Sequence, residues 1–121
     1  MTLEQLTNLS DDELNRLAGQ QILGWSLTGL GTWQMANGEL TSQRNYRPAT
    51  DRNQSGELLA KAMSNSLLVV QIAITDNHSE IRWWMPTMPL NSWNIVPGNS
   101  PRSETIAALL AVFAMEDKDN G

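Results

Sequence analysis

The residues with chemical capability are few, and most of them fall into three groups. The single histidine, His78, stands beside Asp76, Asn77, Ser79 and Glu80. As a general acid or base it needs a positioned partner, and Glu80 is the nearest candidate, but the spacing matches no familiar reaction template. Asp11, Asp12 and Glu13 look like metal ligands on paper, yet they follow Ser10 in the pattern of a helix cap, which accounts for them fully. The third group is cationic and aromatic. Six arginines (Arg16, Arg44, Arg47, Arg52, Arg82, Arg102) accompany only two lysines, and five tryptophans accompany one Tyr and one Phe. Arg and Trp are the types enriched where proteins bind partners.

Composition closes off several chemistries. With no cysteine there is no disulfide, thiol nucleophile or thiolate zinc site. One histidine excludes a His-rich metal centre. There is no glycine-rich phosphate loop, so no cofactor is expected. A net charge of −5 disfavours duplex nucleic acid, whose binding rests on phosphate neutralisation. The N-terminus has neither the basic nor the apolar region of a signal peptide, and the longest apolar run, Ile106–Met115, is far short of the roughly 20 residues that span a bilayer. The expected location is the cytoplasm, without a membrane partner. At 121 residues and 40% hydrophobic, the chain suits one folded domain over 1–121, with residues 2–8 as an extension and 116–121 as a flexible tail.

The elements that must position these groups read as follows. Ser10 and Glu13 form a capping box, Leu9 and Leu14 a hydrophobic staple, and the helix they open runs to about Leu23 before Gly24. Its inward residues are Leu14, Leu17, Ala18 and Ile22. Trp25–Leu40 is hairpin-like, with turns at Gly29-Leu30-Gly31 and Asn37-Gly38 around the strand 32–35. Residues 41–46 read as polar loop. Asp51–Met63 is a second helix capped by Thr50 or Asp51. Leu58, Leu59, Ala62 and Met63 face inward, and Glu57 with Lys61 forms an i, i+4 pair outside. Two antiparallel strands follow, 67–75 and 80–85, joined by a turn at Asp76-Asn77-His78. Pro86, Pro89 and Pro97 make the next stretch irregular. Ser100 and Pro101 then open a helix whose apolar run is bulky on one side (Ile106, Leu109, Leu110, Phe113) and small on another (Ala107, Ala111, Ala114). Such a helix is buried, its small stripe suiting either a close neighbouring helix or a homodimer core. The result is an α/β (α+β) layered sandwich in the order helix, hairpin, helix, strand, strand, helix, with a mainly antiparallel sheet.

Alternation in the second strand puts Ile81, Trp83 and Met85 on the core face and Glu80, Arg82 and Trp84 on the other. Trp84 is core if a second helix layer covers it, and a binding surface beside Arg82 if none does. Trp25 is expected in the core. Trp93, on a loop without periodic role, is either the first candidate for partner contact or a lid over the core's edge. Arg44, Arg47 and Arg52 bracket the start of the second helix and Arg102 the start of the third, where positive charge opposes the helix dipole. That placement suggests either an anion bound at those N-termini, with Arg on phosphate and Trp on a base, or plain surface arginines. Pro48-Ala49-Thr50-Asp51-Arg52 and Pro97-Gly98-Asn99-Ser100-Pro101-Arg102 also echo one another, as two strand–strand–helix units or as two ordinary helix starts.

Leu9-Ser10-Asp11-Asp12-Glu13-Leu14, Gly24-Trp25, Tyr46-x-Pro48-x-Thr50-Asp51, and Asn99-Ser100-Pro101-Arg102 leading into Ala107-Ala108-Leu109 occur in order along most of the chain. In these pieces it resembles the small tailed-phage and prophage proteins of the ABA-sandwich type, including the NinX-like ones. The resemblance implies a three-layer α/β/α domain that would cover Trp84. It also implies a non-enzymatic accessory role in a bacterial host cell, such as counter-defence or host takeover. Such a factor binds a host protein, here through Trp93, Trp84 and Arg82, or acts as a sponge for a nucleotide-type signal, here through Arg44, Arg47, Arg52 and Arg102. A small hydrolase using His78 and Glu80 is the remaining alternative.

Overall fold

The computed structural model describes residues 1–66, 69–75, 78–86 and 88–120, and side chains within 1–64, 79–86 and 88–114. The turn expected at Asp76-Asn77-His78 and the side chains of the strand expected over 67–75 lie outside those described.

Local capping sets the first two helices. In α1 (Leu3–Thr7), Thr2 and Gln5 form a capping box, and Leu6 is buried in the core. In α2 (Asp11–Gln21), the Glu13 amide donates to Ser10 Oγ (3.2 Å) and the Ser10 amide to Glu13 Oε1 (3.3 Å). Leu14, Ala18 and Ile22 are buried, while Leu17 is only partly so. The helix ends two residues before Leu23. Gly24 then takes a left-handed φ of 70°, and the Trp25 amide turns back to Gly19 O (2.9 Å).

The hairpin-like stretch is a three-stranded antiparallel meander of β1 (Ser26–Leu27), β2 (Thr32–Gln34) and β3 (Leu40–Ser42), with left-handed Gly31 and Gly38 in its turns. Residues 41–46 are therefore not simply loop. Thr41 and Ser42 pair with Trp33 and Thr32, and a 3₁₀ turn (Gln43–Asn45) follows. The strand lacked an apolar alternation to announce it. Trp33 holds this sheet to α2. It is almost fully buried, and a Cβ at Gly19 would lie 2.8 Å from its indole.

Asp51 caps α3 (Arg52–Ser66), its Oδ1 accepting from the Gln54 amide (3.1 Å). The helix continues three residues past the expected end at Met63. Ser55, Leu58, Leu59 and Ala62 form its buried face, whereas Met63 is 37% exposed. Met63 lies about 100° around the helix from Ala62, past the edge of that stripe. Glu57 and Lys61 make no ion pair with each other among the described residues.

The second sheet is also antiparallel, in the order β4 (Val69–Thr75), β5 (His78–Trp84), β6 (Asn94–Pro97). The Pro-rich stretch expected to be irregular thus ends in a strand. Pro97 is tolerated because it terminates an edge. Ile81, Trp83 and Met85 are buried, as alternation predicts. They lie on the side of α4 (Pro101–Asn120), which packs on β5, β6, α3, α2 and α1. Ser100 caps it, its Oγ accepting from the Ser103 amide (3.2 Å). Every residue from Ser103 to Leu109 is buried. The backbone stays helical to Asn120, beyond the Met115 end expected, so residues 116–120 extend the helix. The fold is α+β, with α1 and the strands β3 and β6 added to the predicted order. Among the described residues no helix is long and apolar enough to cross a membrane.

Two helix-interior glycines give opposite expectations. Gly56→Ala meets open space and gains helix propensity, so it is expected to stabilise by roughly 0.5–1 kcal/mol. Gly19→Ala gains the same propensity but drives a methyl into a fixed indole, at a cost of about 1–3 kcal/mol, and is expected to destabilise. Urea denaturation of the two variants measures both signs.

Candidate functional site

The outer face of the β4–β6 sheet gathers the three residues predicted to meet a partner. Glu80, Arg82 and Trp84 alternate with the core residues of β5 and so point away from α4. Backbone register sets Arg82 opposite Ile95 and Trp83 opposite Asn94. One step further, Trp93 lies beside Trp84, ring centroids 6.5 Å apart at 43°. The loop between the strands folds back over this face. Pro89 O accepts from Trp84 Nε1 (3.0 Å), Ser92 Oγ (2.6 Å) and the Ser92 amide (3.2 Å). Asn91 holds a left-handed φ of 66°, which Asn tolerates better than most residues. Trp84 is thus half-buried, neither core nor fully open, and its cover is its own loop.

What this leaves in the open is apolar: Leu90 is 83% exposed, Ile95 46% and Trp93 36%. Arg82 lies alongside, its Nη2 and Nε donating to Glu80 Oε1 at 2.7 and 3.1 Å. Glu80 is buried, so the guanidinium is anchored rather than free to swing. Ile95 and Leu90 escaped the sequence reading. The period-2 run Trp93-Asn94-Ile95-Val96 was the available signal, masked by the prolines around it.

The four arginines of the anion reading divide into two pairs. Arg52 donates to Glu104 Oε1 (2.8 Å) and Asn99 O (2.8 Å). Arg102 donates to Asp11 Oδ1 (2.6 Å), Thr7 O (2.8 Å) and Leu9 O (2.5 Å). The negative partners that their helix-start positions ask for come from the chain itself. Arg44 and Arg47 are exposed. Arg44 lines a cleft of about 210 Å³ with Arg16, Asp12, Asn15, Trp33 and Tyr46. The four do not converge on one point.

His78 begins β5, and its side chain lies outside those described. Glu80, its proposed partner, is engaged by Arg82. No three His, Asp or Glu residues gather as a metal site among the described residues. Trp25, expected in the core, is only half-buried, packed edge-on to Trp33 (6.1 Å) and against Tyr46 (4.9 Å). Compared with family models, curated proteins and solved structures, the chain matches none.

The arginine geometry separates structural from solvent-facing charge. Arg102→Met removes a three-acceptor clamp between α4 and the α1–α2 junction and is expected to cost about 1–2 kcal/mol, more than the few tenths regained from the helix dipole. Arg44→Met and Arg47→Met are expected to stay within about 0.5 kcal/mol of the parent. Midpoints of chemical denaturation decide between these.

Proposed function

We propose that this protein is a non-enzymatic binding module that docks a partner protein on the Trp84–Trp93 face. One observation carries the reading: Trp93, Ile95 and Leu90 stand exposed together beside an anchored arginine. Scattered apolar residues are normal on a surface, but Trp93 and Ile95 on one strand face, with Trp93 beside the Trp84 indole, have the composition of a binding hot spot. The loop is preorganised through Pro89 O, which lowers the ordering entropy that docking costs. Among the described residues this face presents an open sheet surface and no deep charged pocket, which suits a protein better than a small anion. The resemblance to small phage accessory proteins implies a host-cell protein as partner, in the manner of a counter-defence or host-takeover factor.

The test is capture of the partner from host lysate on immobilised protein, followed by calorimetry with the purified pair. Trp93→Ala and Ile95→Ser are each expected to weaken binding about tenfold or more while staying folded, Trp93→Ala losing about 1–2 kcal/mol of stability with its packing on Trp84. Leu30→Ser, in the distant β1–β2 turn, is the matched control and should leave affinity unchanged. Equal affinity in a Trp93→Ala, Ile95→Ser double variant would exclude this face. Arg82 is a poor probe because its loss strips buried Glu80 of its guanidinium.

A further inference from the structure

We propose that the cleft between the small sheet and α3 binds an organic ammonium ion with an apolar or aromatic body. The cleft measures about 440 Å³ and shares no residue with the Trp84–Trp93 face. That is within the roughly 300–1,000 Å³ typical of small-molecule sites. Its walls combine two kinds of group. Trp25, Met35, Tyr46 and Leu58 supply apolar and aromatic surface, and Glu57 supplies a carboxylate.

The aromatic part is fixed. Trp25 and Tyr46 pack 4.9 Å apart at 53°, and both are half-buried, so each ring keeps surface for a ligand. Trp33, wedged onto Gly19, backs Trp25. The carboxylate is uncommitted. Glu57 has neither a hydrogen bond nor an ion pair among the described residues, although Lys61 lies one helical turn away and also lines the cleft. Its field nevertheless reaches the aromatic wall. The Tyr46 hydroxyl is held above its usual pKa by burial first and by the Glu57 charge second.

An ammonium over the ring faces and against Glu57 satisfies both features at once, by cation–π attraction and ion pairing. Its apolar body then covers Met35 and Leu23, both partly exposed at the cleft. An anion would meet Glu57 in a chain of net charge −5, and a neutral apolar ligand would leave the carboxylate unused. Lys61 is exposed on a flexible stem and can turn its charge to solvent.

The probe is benzyltrimethylammonium chloride, titrated into the full chain while the Trp25 indole N–H resonance is followed, assigned by its disappearance in Trp25→Phe. A saturable shift with a dissociation constant near 1 mM or tighter, about fivefold weaker in Glu57→Gln and undiminished in Lys61→Met, is the expected result. Glu57 is exposed, so its variant is expected to fold. Benzyl alcohol and benzenesulfonate serve as neutral and anionic controls and should bind at least about fivefold more weakly than the cation. The assignment is overturned by absence of a saturable shift, by either control binding as tightly, by an unchanged Glu57→Gln, or by weaker binding in Lys61→Met.

Discussion

A buried carboxylate at the start of α4 sets the arrangement of the helices. Glu104 is largely removed from solvent, and an uncompensated charge there would cost several kcal/mol. Arg52 and Ser55, both from the first turn or so of α3, donate to it at 2.8 and 3.2 Å. The N-termini of α3 and α4 are therefore held together, although their dipoles present positive ends to each other. Glu104 between them is favourable to both. Arg52 completes the tie by reaching Asn99 O, just ahead of α4. The continuously buried stretch of α4, Ser103–Leu109, follows directly from this fixed starting point. On the other side of the same helix start, Arg102 fastens the α1–α2 junction.

Placing α4 against β5 and β6 uses one face of the larger sheet and leaves the other. A sheet of three strands must shield its second face with another layer, with polar side chains, or with its own connections. Here Arg82 lies down on Glu80, and the β5–β6 loop is pulled over Trp84 by the Pro89 carbonyl. The cover is incomplete. It shields Trp84 in part but raises Leu90 and leaves Trp93 and Ile95 at the surface. The apolar face is thus a consequence of how the loop is tied, which makes it rigid as well as exposed.

What the sequence made legible was local. The Ser10–Glu13 box, the Asp51 cap and the Ser100-Pro101 start depend on residues within three positions of each other, and each formed at its expected place. Alternation in β5 likewise separated Trp83 from Trp84 correctly. Pairings across the chain were not legible. The partners of Arg52 lie 52 and 47 positions away, and those of Arg102 lie 91 to 95 away. Their odd position at helix starts signalled an anion without saying that the chain supplies it. The strands β3 and β6 are only three and four residues long, and neighbours rather than their own pattern define them. The predicted Glu57–Lys61 pair failed for a related reason. Spacing permits an exposed ion pair, but its small net energy does not compel one.

The excess of tryptophan has a physical origin in the small sheet. Its three strands contribute eight residues in all, too few to bury a face of their own. Large aromatic side chains make the attachment instead: Trp33 against the bare backbone of Gly19, and Trp25 bridging Trp33 to Tyr46 ahead of α3. Trp83 fills the core beneath α4. Each of these three has a place in the packing of the fold. Trp84 has one in part, since its indole N–H holds the loop. Trp93 also has one only in part: it donates no hydrogen bond among those described and packs on another indole, but keeps over a third of its surface in water. Its packing on Trp84 explains the buried part of this ring, and its exposed part is the share of the tryptophan excess that folding leaves over.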